Sequence, residues 1–498
     1  MPRINLKHIA GVCALVAAVA CGAMADDSPL NAAANSAAGT APGGAKALTG
    51  EEIVALPRRA TQPLALPEGC IGDPKQPWFG QHVFPLPHTI EDGPSCYRKD
   101  GKVVRPAAEI PVFHEADVVV VGGGPAGFSA AVSAARTGAK TALVERYGSL
   151  GGLFTNGMVL KLMCTSARGA DGKFRFVTKG VCEDFVRRAE ALNASVPALT
   201  ARKDEATYWE PDIDPEAAKY LMDQMCDEAG VQTFFHSWGV DVVQDGDRVE
   251  GIVFESKQGP QAILAKQVVD CTGDGDVFFR AGAGYRQVTH AISSVAQIGN
   301  VDRVPSVAQA KANWPKKSNG ANPSVWWGIG PGHAQNGLDV RDLTAAEKAA
   351  RKYWVEHLAE MRKDPDWKET FIVNICSQIG VRATRLLDAE LVLDQPSIVR
   401  QNRFADAVGL LGARAMYPDF QVPYRALLPK KVENLLVAGR CLGAPDSLET
   451  FRLIAPCFVT GQAAGTAAAL SARLGVTPRQ LDVKLLQKTL VAQGACLA

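Results

Sequence analysis

The sequence predicts an α/β chain, in which a discontinuous, Rossmann-like dinucleotide-binding domain is interrupted by an inserted α+β domain. Three observations predict it. First, a run of β-branched residues, Asp117-Val118-Val119-Val120-Val121, passes straight into Gly122-Gly123-Gly124-Pro125-Ala126-Gly127 and then a small-residue helix, Phe128 to Ala135. Second, another apolar run, Thr141 to Val144, ends in an acid, Glu145. Third, strand followed by glycine turn returns far downstream, at Ala265 to Asp270 before Cys271-Thr272-Gly273, and at Asn434 to Ala438 before Gly439-Arg440.

Within the first unit each glycine has its own physical reason. Gly122 permits the tight turn out of the strand. Gly124 lacks a Cβ, so a pyrophosphate can approach the backbone, and Gly127 lets the helix pack close to the strand. The helix N-terminus offers unpaired N–H groups and partial positive charge to phosphates. At the end of the next strand the Glu145 carboxylate can accept both ribose hydroxyls. That favours an unphosphorylated 2′-hydroxyl, hence FAD or NAD rather than NADP.

A chain of 498 residues, 47% hydrophobic, can bury a large core divided into subdomains. A formal charge of +1 gives no sign of a nucleic-acid partner. No internal segment is long and apolar enough to be a membrane span. Residues 1–25 read as a signal peptide: Arg3 and Lys7 precede an apolar run from Ile9 to Gly22, and Ala23-Met24-Ala25 is an A-x-A cleavage site. Lipidation at Cys21 is the competing reading, disfavoured by Ala18 three positions before it. The expected location is periplasmic or secreted. Of the 12 cysteines none forms a CxxC, and no metal site is expected. Cys70 and Cys96 either form a bridge or stay as free thiols, whereas Cys226, Cys271, Cys376 and Cys457 read as small core residues.

The remaining chain divides as follows. Residues 26–110 begin with an Ala/Gly/Ser/Asn-rich tether and continue as a proline-rich extended arm anchored by Trp78, Phe79 and Phe84. Residues 111–165 are the first part of the dinucleotide domain. A helical insertion, 166–229, has its clearest helices at Lys179 to Leu192 and Pro215 to Glu228. The second part, 230–290, holds a parallel strand at Val231 to Phe235 and hairpin strands around Gly246. Residues 291–428 leave the pattern, with a Pro/Gly/Trp-rich loop around Trp326-Trp327-Gly328, a charged helix from Leu343 to Arg362 and an apolar stretch carrying Arg382 and Arg385. The third part, 429–498, adds a strand and a small-residue helix from Thr460 to Ala469.

Five ordered segments carry a family resemblance: Val119 to Gly127, Val144 to Gly152, Val269 to Asp276, Ile379 to Arg385 and Asn434 to Arg440. On them the chain resembles the FAD-dependent oxidoreductases of the FAD-oxidored type, within the two-dinucleotide-binding flavoprotein superfamily. The resemblance implies a discontinuous Rossmann-like FAD-binding domain with an inserted α+β substrate/cap domain. By resemblance, Gly122, Gly124, Pro125, Ala126 and Gly127 hold the pyrophosphate and Glu145, followed by Arg146, the adenosine ribose. Gly151 and Gly152 line the approach to the flavin, Val240 meets the adenine through its backbone, and Thr272-Gly273 closes over the adenosine side. The family's late Gly-Asp turn places an acid on the ribityl chain; here it is Gly439-Arg440. Gly461, Ala463 and Ala464 let a helix approach the flavin ring, and a helix N-terminus aimed at that ring stabilises its reduced anion. Close helix packing explains the same small residues.

The expected function is that of an exported FAD-dependent dehydrogenase acting on a small organic substrate. Only one complete GxGxxG unit exists, so the electrons are expected to pass to a quinone, a cytochrome or oxygen rather than to a nicotinamide. Arg382, Arg385 and Arg452 are candidates to pair with a carboxylate or developing oxyanion, and His290 is a candidate base. Each has an alternative as a structural residue. The rival readings are a fumarate-reductase-like activity on an unsaturated acid and a non-catalytic flavin electron carrier.

Overall fold

The run from Val118 to Val121 forms the hydrophobic centre of the chain. In the computed structural model all four valines are buried, each worth roughly 1.5–3 kcal/mol when fully withdrawn from water. They end strand β1 (Val112–Val121), which starts earlier than the apolar run because its first half pairs with the long strand β6 described below. The structure describes residues 96–168, 174–195, 210–306, 325–412, 419–443 and 451–498. The expected signal peptide, the tether, Cys70 and the arm up to residue 95 lie outside them. Contacts divide the chain between Ala108 and Glu109. In the first unit the described part is an antiparallel hairpin, Tyr97–Lys99 with Lys102–Val104, turning through Asp100 and Gly101 at positive φ.

The second unit is built on a mixed sheet. β1 lies parallel to β2 (Thr141–Val144), which lies parallel to β3 (Gln232–Phe234). A meander follows, β4 (Trp238–Asp245), β5 (Arg248–Ser256) and β6 (Gly259–Asp270), with Gly246 at positive φ between β4 and β5. The first half of β6 pairs antiparallel with β5, and β6 runs parallel to β1 on its other side. A separate three-stranded antiparallel sheet has β7 (Val295–Gly299) between β8 (Val325–Ile329) and β9 (Phe371–Ile375). Trp326-Trp327-Gly328, expected in a loop, therefore belongs to a strand, because β7 supplies its hydrogen-bonding partner. The last strand, β10 (Leu435–Val437), returns to the main sheet parallel to the end of β6.

Helix α1 (Pro125–Arg136) begins with Pro125 in its first turn, where a missing N–H costs nothing. Helices α2 (Val181–Ala191) and α3 (Pro215–Ala229) cover its flank, and Asp214 caps α3 by accepting from Glu216 N and Ala217 N. Beyond the three-stranded sheet, α4 (Val340–Met361) buries Trp354, whose Nε1 donates to Ser294 Oγ at 2.9 Å. The late helix α5 (Ile454–Leu474) is longer than the small-residue run and buried from Ile454 to Ala472, as expected of a helix apolar on all sides. Its glycines face α1: a Cβ on Gly461 or Gly465 would collide with the carbonyls of Ala126 and Ala130. Gln462 turns the other way and accepts from Val181 N at 3.2 Å, capping α2, whose own cap is Gly180.

Candidate functional site

Register brings the strand ends together. Val121 stands opposite Val144 and Asp270, and Asp270 opposite Val437. The turns leaving β1, β2, β6 and β10 therefore open at one edge of the sheet, the place where open α/β sheets bind ligands. They line an open cleft, walled by the glycine turns and by residues from the starts of the segments that follow them.

One wall is the first glycine turn. Gly122 has a φ of +95°, and Gly122 N donates to Val144 O at 2.8 Å. Gly124 is the N-cap of α1, no side chain caps it, and the space where its Cβ would stand is empty. Gly122, Gly124, Pro125 and Ala126 all line the cleft. Gly127 does not: its missing Cβ makes room for the Gly122 carbonyl beneath the turn. Gly151 also sits behind the lining, donating to Gly123 O at 2.8 Å, while Gly152 lines the cleft.

Glu145 closes the end of β2. Its Oε2 accepts from Gly123 N at 2.6 Å and its Oε1 from Tyr147 N at 2.8 Å. Burial pushes its pKa up, against the pull of those two hydrogen bonds and of Arg146. Each oxygen keeps a lone pair for a ligand hydroxyl. Beside it, the Arg146 guanidinium lies 4.8 Å from the Tyr147 ring centroid and 5.5 Å from that of Trp238. Ser237, Trp238 and Gly239 line this part of the cleft and Val240 does not. The ladder of β4 against β5 shifts register between Gly239 and Asp241, so Val240 is the residue left out of the pairing. Trp238 was not among the residues singled out from sequence. Its signal was a large aromatic between two turn-forming residues, and it is 53% exposed at the cleft rim.

Opposite lies a charged network. Arg440 Nη1 pairs with Asp274 Oδ1 at 2.7 Å, and Thr384 Oγ1 donates to the same oxygen at 2.7 Å. Burial works to raise the Asp274 pKa, but Arg440 and then Thr384 outweigh it and hold the carboxyl below its ordinary range. Arg385 Nη1 donates to Asp274 O and to Asp276 Oδ1, each at 3.0 Å, and its guanidinium lies 4.2 Å from the Phe279 ring centroid. Thr272 Oγ1 donates to Asp270 Oδ1 at 2.7 Å, and Gly273, with a φ of +80°, leaves room for the Arg440 side chain. Thr272, Gly273, Asp276, Gly439 and Arg440 line the cleft.

The four candidate catalytic residues separate. Arg382 donates to the Ala291 carbonyl and to Ser293 Oγ, tying its own segment to that of Ala291–Ser293. Arg385 belongs to the Asp274–Asp276 network, and His290 pairs in a two-stranded ribbon with Gln335. None of these three lines the cleft; Arg452 does, next to Ile454 at the start of α5. Gly461, Ala463 and Ala464 lie further along α5, buried and away from the cleft lining. Helix packing accounts for Gly461, and the part of α5 that faces the cleft is Ile454 to Cys457.

Across this architecture the sequence model of the FAD dependent oxidoreductase family matches residues 117–490. The chain belongs to that family. The cleft suits a dinucleotide such as FAD: an open backbone turn at a helix N-terminus, a buried carboxylate at the end of the neighbouring strand, and an aromatic–guanidinium pair beside it. A dihydrolipoyl dehydrogenase from Trypanosoma brucei brucei is 59% identical over 46 residues, 9% of this chain and 10% of that protein. A leghemoglobin reductase from Glycine max is 37% identical over 95 residues, 18% of this chain and 17% of that one. The matched segments thus span less than a fifth of these curated relatives. Among solved structures, a geranylgeranyl bacteriochlorophyll reductase-like protein from Thermoplasma acidophilum matches over 76% of this chain and 87% of its own, at 16% identity and a TM-score of 0.41. No helix among the described residues is long and apolar enough to cross a membrane.

Proposed function

We propose that this FAD-dependent oxidoreductase is an exported dehydrogenase of a small organic substrate that hands its electrons to a quinone, a cytochrome or oxygen rather than to a nicotinamide. When bound, FAD supplies a hydride acceptor at N5. The chain's own residues bind and orient: the Gly122–Ala126 turn takes the pyrophosphate, Glu145 the ribose, and Arg452 stands where a substrate anion could be met.

The acceptor reading rests on one observation. The second glycine-rich stretch, Gly328-Ile329-Gly330-Pro331-Gly332, leaves strand β8 of an antiparallel sheet and leads into the short strand His333–Gln335. It is not the turn of a strand–helix–strand unit, which is what a second dinucleotide would need. Export rests on the charged, apolar and A-x-A segments of residues 1–25, and cleavage there gives a mature chain starting at Asp26, readable by mass spectrometry of the secreted protein.

The deciding experiment is anaerobic bleaching of the flavin against a substrate library, with NADH and NADPH included. Bleaching by one organic compound class and not by either nicotinamide supports the proposal. Rapid bleaching by NADH or NADPH sinks the acceptor reading. Bleaching by none of the library compounds favours the electron-carrier reading. Reduction of an unsaturated acid by the prereduced enzyme, lost in Arg452→Ala, would favour the fumarate-reductase-like alternative, which now leans on Arg452 because it lines the cleft and Arg382 and Arg385 do not.

A further inference from the structure

Among the described residues of 291–428, one lines the cleft. Gln378 lines it together with Gly152, Leu153, Arg452 and Ile454. It follows Cys376, whose N donates to Val295 O at 2.9 Å and so continues the pairing of β9 with β7. Ser377 N and Gln378 N then donate to Asn156 O at 3.0 and 3.3 Å. Asn156 N in turn donates to Gly152 O at 2.8 Å, so Gln378 is fastened one loop away from the glycine pair. Its side-chain Oε1 is buried without a hydrogen-bond partner, and so is Asn156 Nδ2 on the loop that holds it. Leaving a buried acceptor unmet costs about 1–3 kcal/mol, so an amide kept in this state at a ligand cleft is matched to a ligand.

The two halves of the cleft differ in what they can take. Glu145, Arg146, Tyr147 and Trp238 form a carboxylate-and-aromatic end suited to adenosine. The end formed by Leu153, Gln378, Arg452 and Ile454 is left for the isoalloxazine ring. A primary amide offers an acceptor and a donor side by side. The imide edge of a flavin offers an N3–H between two carbonyls, which is the complementary pattern. We infer that Gln378 pairs through its side-chain amide with the imide edge of the flavin, so that the inserted region, and not only the dinucleotide domain, holds the cofactor. The inference rests on the FAD reading of the cleft. No bond is made or broken; Gln378 is a positioning residue for the ring.

The test compares the uptake of FAD and of N3-methyl-FAD by apoprotein, followed by quenching of flavin fluorescence. The wild type should bind the methylated cofactor about 3- to 10-fold more weakly, the equivalent of one net hydrogen bond. Gln378→Ala should bind FAD more weakly by a similar factor and no longer distinguish the two. Equal binding of both cofactors by the wild type, or discrimination retained in Gln378→Ala, would overturn the inference. Gln378→Glu gives a second readout should the alanine variant not fold: a carboxylate keeps the acceptor but repels the reduced flavin anion, so the flavin midpoint potential falls. An unchanged potential counts against the pairing. A wild-type apoprotein that takes up no FAD would overturn the cofactor reading and this inference with it, whereas uptake without discrimination overturns this inference alone.

Discussion

Gly124 and Gly127 are three residues apart, yet a methyl group would mean different things at each. At Gly124 the added Cβ meets nothing within 4 Å and points into open cleft, whereas at Gly127 it meets the Gly122 backbone. Gly124→Val is therefore expected to leave the folded apoprotein intact and abolish FAD binding; a variant purified yellow at full occupancy would refute the assignment. Gly127→Val is expected to lose stability first, by at least about 1–3 kcal/mol of overpacking, seen as a lower urea midpoint in apoprotein. Asp270 adds a pH dependence. It is wholly buried and accepts from Thr272 N at 3.0 Å, Thr272 Oγ1 at 2.7 Å and Phe278 N at 2.9 Å, and burial, which outweighs these bonds, pushes its pKa up to about 6 from 3.8. The folded state thus binds the proton more tightly than the unfolded chain. Its contribution to stability is full below pH 3.8 and is lost as pH rises through about 6, at up to about 1.4 kcal/mol per pH unit. Urea unfolding from pH 4 to 7 should show this fall in the wild type and lack it in Asp270→Asn. Parallel stability profiles for the two would contradict it.

Between elements, the pairing of α1 with α5 carries the most weight. The two helices approach closely because Gly461 and Gly465 present bare backbone to the Ala126 and Ala130 carbonyls, and Ser129 Oγ donates to Phe458 O at 2.7 Å across the seam. Backbone cannot yield as a side chain can. Gly461→Val is expected to destabilise the protein by about 1–3 kcal/mol, despite valine's better helix propensity, and to weaken FAD uptake indirectly through the displaced N-terminus of α1. Chemical denaturation checks the first and flavin occupancy the second; an unchanged urea midpoint would mean that the seam is loose. This seam also marks where sequence was legible and where it was not. The strand–turn–helix–strand of residues 117–145 could be read directly because every residue of the pattern is local. The small-residue run Gly461 to Gly465 was equally visible, but its partner stands more than three hundred positions away, so helix packing and approach to a ligand could not be separated. The same holds for Arg382 and Arg385, whose partners Ala291, Ser293, Asp274 and Asp276 are all distant in the chain. Nothing local distinguishes the cleft-facing Gln378 from any other glutamine, and the aromatic between two turn-forming residues at Trp238 does not by itself say which way the ring faces.

At the scale of the larger unit, the cleft is assembled from segments spread between Val121 and Cys457. No single stretch of chain contains it, so FAD bound there would recognise the folded state and not the unfolded one. A ligand that binds only the folded state stabilises it by about 2.7 kcal/mol at a hundredfold excess over its Kd. For a unit of this size that corresponds to a rise in melting temperature of roughly 3 °C. Scanning calorimetry of apoprotein titrated with FAD should show that rise, growing with FAD concentration. FMN, which lacks the adenosine that Glu145, Arg146 and Trp238 are placed to meet, should give a smaller rise at the same concentration. In Gly124→Val the FAD-dependent rise should vanish while the apoprotein melt stays near that of the wild type, which separates loss of binding from loss of fold. Equal shifts from FMN and FAD would remove the adenosine end from the site. The absence of any shift with saturating FAD would mean that the strand ends around Val121, Val144, Asp270 and Val437 do not form the cofactor cleft in solution.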